Sequence, residues 1–339
     1  MHSKLSNRIK AEATSLGFFA CGIARAEAVD DATATLVRQW IDDERYAGMH
    51  YMRNYTDKRL DPRLLMPRLK SIVCVAMNYT PAHHIPADQL QFAAYAYGAD
   101  YHDIVKSKLR ELALRLGFEE LPAHPPADSC TDRPHFRVFC DSAPILERYW
   151  AAKAGLGWIG RNHQLIVPRA GSMFFLGELF LDIELDPDTP MPNRCGHCHA
   201  CIDACPTHAI ATDAPLDANK CLSYQTIENK GTIPTDIARQ MGHTIYGCDR
   251  CQQACPWNRF APPNHTPELQ PKQELLEMTR EKWLQLTEDD YRRIFKGSAV
   301  KRAKYTGLMR NIRTAASLSE QKKDDEDFKN TLPDTPGET

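Results

Sequence analysis

Eight of the twelve cysteines in this chain of 339 residues lie between positions 195 and 255. The first run is Cys195-x-x-Cys198-x-x-Cys201-x-x-x-Cys205, followed by Pro206. The second is Cys221, then Cys248-x-x-Cys251-x-x-x-Cys255, followed by Pro256. Three cysteines at such intervals suit three corners of an iron-sulfur cube. In two-cluster ferredoxins the fourth thiolate, just before proline, crosses to the other cube. On that pattern Cys195, Cys198, Cys201 and Cys255 hold one 4Fe-4S cluster, and Cys205, Cys221, Cys248 and Cys251 hold the second. The long insertion between Cys221 and Cys248 departs from the ferredoxin repeat. Two four-cysteine zinc sites are the alternative, although zinc knuckles usually come as separate C-x-x-C pairs. Disulfides fit poorly. The sequence shows no cleavable signal peptide and no apolar stretch near twenty residues, which points to a cytoplasmic protein without a membrane segment, where thiols stay reduced.

The rest of the chain carries too much apolar material for a carrier alone. With 42% hydrophobic and 25% charged residues it reads as globular, in two or three domains. The net charge of -2 says nothing about partners, but residues 291–313 hold eight Lys or Arg and no acid. Such a block suits phosphate binding or a solvated helix face.

Residues 1–185 alternate helical and strand patterns. Helices are predicted over 3–17, 32–46 (Leu36, Trp40 and Ile41 on the apolar side), 103–116 and 145–154. Strands are predicted over 18–23, 71–77, 136–140 and 173–185. This is α/β (α+β) organisation. Cys21 and Cys74 fall inside apolar strands as core residues, while Cys130 and Cys140 stay undecided. Proline-rich segments 187–193 and 261–267 mark joints. They divide the chain into an α/β domain (1–185), a ferredoxin-like module (186–262), a helical basic part (263–318) and a polar tail expected to be disordered (319–339).

The stretch 139–168 is the best candidate for the working part of the first domain. Asp141 follows a strand and precedes a helix, where α/β proteins place ligand-facing groups, though on residues alone a helix cap is the favoured role. Gly155, Gly157 and Gly160 would allow close backbone approach to a bulky ligand. They spell G-x-G-x-x-G, but after a helix rather than opening one, so a dinucleotide fingerprint is poorly supported.

Taken together, 58–73 (KRLDPRLLMPRLKSIV), 97–109 (YGADYHDIVKSKL), 141–162, 195–210 (CGHCHACIDACPTHAI), 221–231 (CLSYQTIENKG) and 246–258 (YGCDRCQQACPWN) resemble the epoxyqueuosine reductases, cobalamin-dependent iron-sulfur enzymes of queuosine synthesis in tRNA. The resemblance covers most of residues 1–260. It implies a cobalamin-binding domain, a two-cluster module and a short HEAT-like helical end. By matching position, the corrin would touch Arg59, Ala93, Asp141, Leu165, Leu176, Ser223, Cys248 and Asp249. Asp141 would be the proton donor, held protonated by an apolar pocket, with Asp100, Tyr101 and His102 as further substrate contacts. Lys230 would touch tRNA, and the basic run places Lys301, Arg302 and Arg310 with it. The implied partners are tRNAs with queuosine-type anticodons (Asp, Asn, His and Tyr acceptors) and an external donor such as a flavodoxin or ferredoxin, with the enzyme monomeric. Asp100-Tyr101-His102 begins like the D-x-H-x-x-G cobalt-ligating motif but lacks its glycine. Two other readings remain: a reductive dehalogenase acting on a small molecule, and an electron carrier or structural iron-sulfur RNA binder.

Overall fold

A computed structural model describes residues 2–122, 133–212 and 214–331. Cys130 and the last eight residues of the expected tail, 332–339, lie outside the described residues. The first part runs α1 (His2–Ser15), β1 (Ala20–Arg25), α2 (Asp31–Asp42), α3 (Thr56–Leu60), β2 (Ser71–Asn78), β3 (Gln91–Phe92), α4 (Tyr101–Arg115), β4 (Glu119–Glu120), β5 (His135–Phe139), α5 (Glu147–Lys153), β6 (Trp158–Ile159), β7 (Leu165–Ile166) and β8 (Phe174–Leu181). A short-element region follows with α6 (Ala200–Asp203), α7 (Leu222–Ile227), α8 (Thr235–Ala238), β9 (Thr244–Tyr246) and α9 (Arg250–Gln253). The chain closes with α10 (Gln273–Leu276), α11 (Arg280–Leu284), α12 (Glu288–Ile294) and α13 (Lys304–Thr331).

The central sheet has the order β1-β2-β8-β5-β4 and is antiparallel except where β4 meets β5. Strand alternation explains how it fills both sides. From β2, Val73, Val75 and Met77 meet Ile9 and Ala13 of α1 and Val105, Leu109 and Leu112 of α4 in one core. The alternate residues Ile72, Cys74 and Ala76 meet Trp150 and Ala151 of α5 in the other. With helices on both faces, every residue of β2 and β8 is buried. Cys74 and Cys140 are core residues, whereas Cys21 is half-buried against the core.

Two local expectations differ. Leu36 points outward, 59% exposed; the buried residue of α2 is Ala34, and Trp40 instead donates its indole N–H to the Leu216 carbonyl at 2.7 Å. The domain joints are also less clean than the prolines suggest. Residues from Ile85 to Tyr97 pack into the C-terminal core, where Phe92 stacks on Tyr246, Trp283 and Phe295, and β3 pairs in parallel with β9. Helix α13 continues to Thr331, into the segment that the sequence marks as tail.

Candidate functional site

The structure gathers the cluster cysteines into two sets of four. Cys195, Cys198, Cys201 and Cys255 line one cavity of about 150 Å³ together with Arg161, Asn162, Arg194 and Trp257. Cys205, Cys221 and Cys251 meet in a second group, and Cys248 lies close enough to Cys221 and Cys251 to act on them electrostatically. Burial pushes the Cys248 thiol up to about 12 and the Cys251 thiol higher still. Thiols packed this way ionise only against a cation. The donor set around the first cavity fits an anionic sulfide-bearing group, because Arg161 Nε and Asn162 Nδ2 are buried without an acceptor among the described residues.

Asp141 sits just beyond the end of β5 with φ +53°, a left-handed conformation that costs an aspartate about 1 kcal/mol. It is not a helix cap, since the N-cap of α5 is Leu146. Its backbone N–H donates to Glu147 Oε1, and its Oδ2 accepts from the Tyr101 hydroxyl. His102 Nε2 stands 3.6 Å from the same oxygen, while His102 Nδ1 is 2.7 Å from Asp100 Oδ1. Asp100 also caps α4 by accepting from the His102 N–H, which fixes the two partners at the helix start. The Tyr101 ring lies flat on Phe175, centroids 4.1 Å apart, and against the His102 imidazole. Asp100, Tyr101, His102 and Asp141 therefore form one constellation. The Asp141 side chain remains 57% open to solvent, so a substrate can reach it.

The charge state differs from the sequence expectation. The protein packed beneath its open side works against the Asp141 carboxylate, but His102 close by and the Tyr101 hydrogen bond outweigh it and hold the group below its ordinary value. The proton sits next door: hydrogen bonds to Asp100 and Asp141 push His102 up to about 9. Burial, then the Asp141 charge, pushes Tyr101 far above its usual range. The carboxyls kept protonated by burial are Glu147 of α5 and Glu178 of β8, and the sequence reading passed over both. A glutamate inside the apolar run Met173–Leu181 was the available signal for Glu178.

The residues matched to a corrin are dispersed in sequence and mostly buried: Ala93, Leu165 and Leu176 are apolar and closed off, and Ser223 is half-buried on α7. Arg59 of α3 is 8% exposed with its Nε unpartnered, a donor suited to a polar edge of a large cofactor. Asp249 Oδ2 accepts from the Ala94 N–H at 2.6 Å, tying the loop at Ala93 to Cys248. The glycines serve the protein's own backbone instead of a ligand. A Cβ at Gly157 would lie 2.1 Å from the Ile166 carbonyl across the β6–β7 pair; Gly155 abuts Thr189, and Gly160 abuts Ile166.

The basic run divides into used and unused charges. Arg310 is a structural residue: its guanidinium donates to the carbonyls of Gln225, Asn229 and Gly231, so it has little left for phosphate. Arg302 is paired in two-pronged fashion with Glu228. Lys230 Nζ donates to the Ile227 and Arg302 carbonyls, both at 2.9 Å. Lys301 stays exposed and near enough to Asp100 to help keep it ionised. Lys304 lies close enough to Lys230 to weaken its hold on a proton.

Residues 194–258 match the family model for a 4Fe-4S double cluster binding domain, and residues 59–142 match that described as epoxyqueuosine reductase QueG, DUF1730. The epoxyqueuosine reductase of Cellulophaga algicola is 42% identical over 309 residues, spanning 91% of this chain and 97% of its own. That of Leadbetterella byssophila is 43% identical over 307 residues, with the same 91% and 97% coverage. A crystal structure of epoxyqueuosine reductase with a tRNA-Tyr epoxyqueuosine-modified stem loop superposes with a TM-score of 0.81 at 27% identity, covering 93% of this chain and 81% of that one. Among the described residues no helix is long and apolar enough to cross a membrane.

Proposed function

Because the chain belongs to the epoxyqueuosine reductase family, we propose that it reduces the epoxide of epoxyqueuosine at the wobble position of tRNA to the cyclopentene of queuosine, with cobalamin and two 4Fe-4S clusters. The observation that carries this reading is the convergence of Tyr101, His102 and Asp141 at an open rim of a domain whose next module holds two four-cysteine sets.

The reaction consumes two electrons and two protons and releases water. Cys195, Cys198, Cys201 and Cys255 would hold one cluster and Cys205, Cys221, Cys248 and Cys251 the other, and these with a bound cobalamin would supply low-potential electrons. The corrin contacts are Arg59, Ala93, Asp141, Leu165, Leu176, Ser223, Cys248 and Asp249. This chain's own residues handle the protons. Without an acid the epoxide oxygen would leave as an alkoxide, so a proton must arrive as the carbon–oxygen bond breaks. His102 carries that proton at neutral pH, and its Nε2 stands 3.6 Å from Asp141 Oδ2. Asp141 relays that proton from His102 to the departing oxygen, while Tyr101 orients the carboxyl. Asp100 holds the imidazole from behind.

A tRNA stem loop is bound by the solved relative, and here the anticodon loop of a tRNA for Asp, Asn, His or Tyr would lie over Lys230, Lys301 and Lys304. The C-terminal helices α10–α13 would serve as a short HEAT-like part on the tRNA side. An external one-electron donor completes the cycle, in a monomeric cytoplasmic enzyme. The test is anaerobic turnover of epoxyqueuosine-containing tRNA with and without cobalamin, read by nucleoside mass analysis. Cobalamin-dependent queuosine is expected; no conversion by protein with both clusters loaded would overturn the reading.

A further inference from the structure

Electrons must enter the protein somewhere, and one face is built for that. The cavity lined by Cys195, Cys198, Cys201 and Cys255 shares its Pro256 and Trp257 wall with a second, wider cavity of about 630 Å³ lined by Arg169, Arg259 and Phe260. Arg161 and Arg194 flank the cysteines on the first cavity, so four arginines border one continuous surface. None of the four is in an ion pair among the described residues, whereas Arg63, Arg110, Arg115, Arg292 and Arg302 elsewhere on the surface each pair with a carboxylate. The three segments that build the surface, residues 155–173, 189–202 and 254–267, contain no Asp or Glu at all. Cys198 is exposed, and Phe260, with Arg259 stacked on its ring at 4.6 Å, is 48% exposed.

We propose that this face is the docking surface for an acidic one-electron carrier protein, which delivers electrons to the cluster held by Cys195, Cys198, Cys201 and Cys255. The inference rests on the two-cluster reading above. Each encounter moves one electron: the carrier is oxidised by one equivalent and the cluster reduced by one, with no proton or group transferred. Two encounters supply the two electrons of one turnover. The arginines steer an acidic partner toward an exposed redox edge, and the same charges favour the added electron on the cluster. An aromatic and proline centre inside a charged rim matches transient protein contacts. RNA is the other polyanion to consider. The Lys230, Lys301 and Lys304 surface already lies by the proton-handling residues that the modified base must reach, whereas a nucleic acid over Trp257 would serve no chemistry.

The experiment uses the full-length enzyme with both clusters loaded and carrying Arg169→Glu and Arg259→Glu. Stopped-flow bleaching of iron-sulfur absorbance is followed with fully reduced flavodoxin as the acidic carrier, and in parallel with photoreduced deazariboflavin as a small uncharged donor. The expected result is carrier-driven reduction slowed about tenfold or more and stripped of its salt dependence. Reduction by the small donor and affinity for a tRNA stem loop should not change. Equal carrier-driven rates would overturn the proposal, and so would a loss of stem-loop affinity, which would make this an RNA surface. Arg259→Glu alone, on an exposed side chain, serves if the double variant loads its clusters poorly. Because cluster reduction is read directly, failure here is distinct from failure of the epoxide-reduction reading, which is scored on queuosine.

Discussion

The Glu178 carboxyl, wholly buried in the middle of β8, faces the Glu147 carboxyl, and burial together with that neighbour keeps Glu178 protonated. Neither Glu178 oxygen has another partner among the described residues. Arg148, Asp141 and His102 also act on Glu147, and Cys74 and Cys140 lie within reach of both carboxyls. Two carboxyls so placed cannot both ionise cheaply, and each keeps its proton near neutral pH.

The stability consequence has a definite sign. A carboxyl whose folded affinity for protons exceeds its unfolded one binds more protons folded than unfolded, so stability falls as pH rises from the ordinary value of 4.5 upward. The slope reaches about 1.4 kcal/mol per pH unit for each proton held. Glu178→Gln keeps the shape and removes one titrating group. Anaerobic denaturant unfolding between pH 5 and pH 8 should show a shallower decline for the variant. Coincident slopes would mean that the pair holds no extra proton.

The proton route can be tested residue by residue. Asp141→Asn and His102→Gln should each cost about 10²- to 10⁴-fold in turnover while iron content and cobalamin binding hold. Tyr101→Phe, which loses only the hydroxyl that orients Asp141, should cost less. Wild-type activity should decline on the alkaline side as His102 deprotonates near pH 9. His102→Gln should lose that limb. Should the limb survive in the variant, another group supplies the proton.

Much of the fold was legible because its strongest patterns are periodic. The apolar run Ser71–Asn78 is the central strand β2, and the stripe Val105, Leu109, Leu112 of α4 is the face that covers it. The cysteine sets were legible from spacing alone. What sequence could not resolve depended on neighbours distant along the chain. Arg310 read as a phosphate ligand because nothing local announces three carbonyls from residues 225–231. The charge on Asp141 was not legible because His102, which lowers its affinity for a proton, comes 39 positions earlier. The glycines at 155–160 read as ligand space because the Ile166 carbonyl that fills it arrives only with the β6–β7 turn.

Arg310 and Lys301 should part company on substitution. Arg310→Ala removes donors to one carbonyl in α7 and two on the segment joining it to α8, and should destabilise the protein by about 2–4 kcal/mol in denaturant unfolding. Lys301→Ala should leave stability within about 0.5 kcal/mol and weaken stem-loop binding, lowering the slope of log affinity against log salt by about one. A Lys301→Ala variant with an unchanged slope would leave the basic run as solvated surface.

The crossing of thiolates between the two cysteine sets gives the sharpest test of the module. Cys255 lies in the second sequence run but lines the cavity of the first, with Cys195, Cys198 and Cys201. If it ligates that cluster, Cys255→Ser should disturb the first cluster and spare the second, whose cysteines Cys205, Cys221, Cys248 and Cys251 are grouped apart. Iron per chain should fall toward half, and the paramagnetic resonance of the reduced protein should lose the splitting of two coupled centres and keep a single cluster signal. Cys251→Ser should produce the reciprocal loss. If Cys255→Ser instead abolished the signal that Cys251→Ser removes, the two cysteines would share a cluster and the crossover would be wrong.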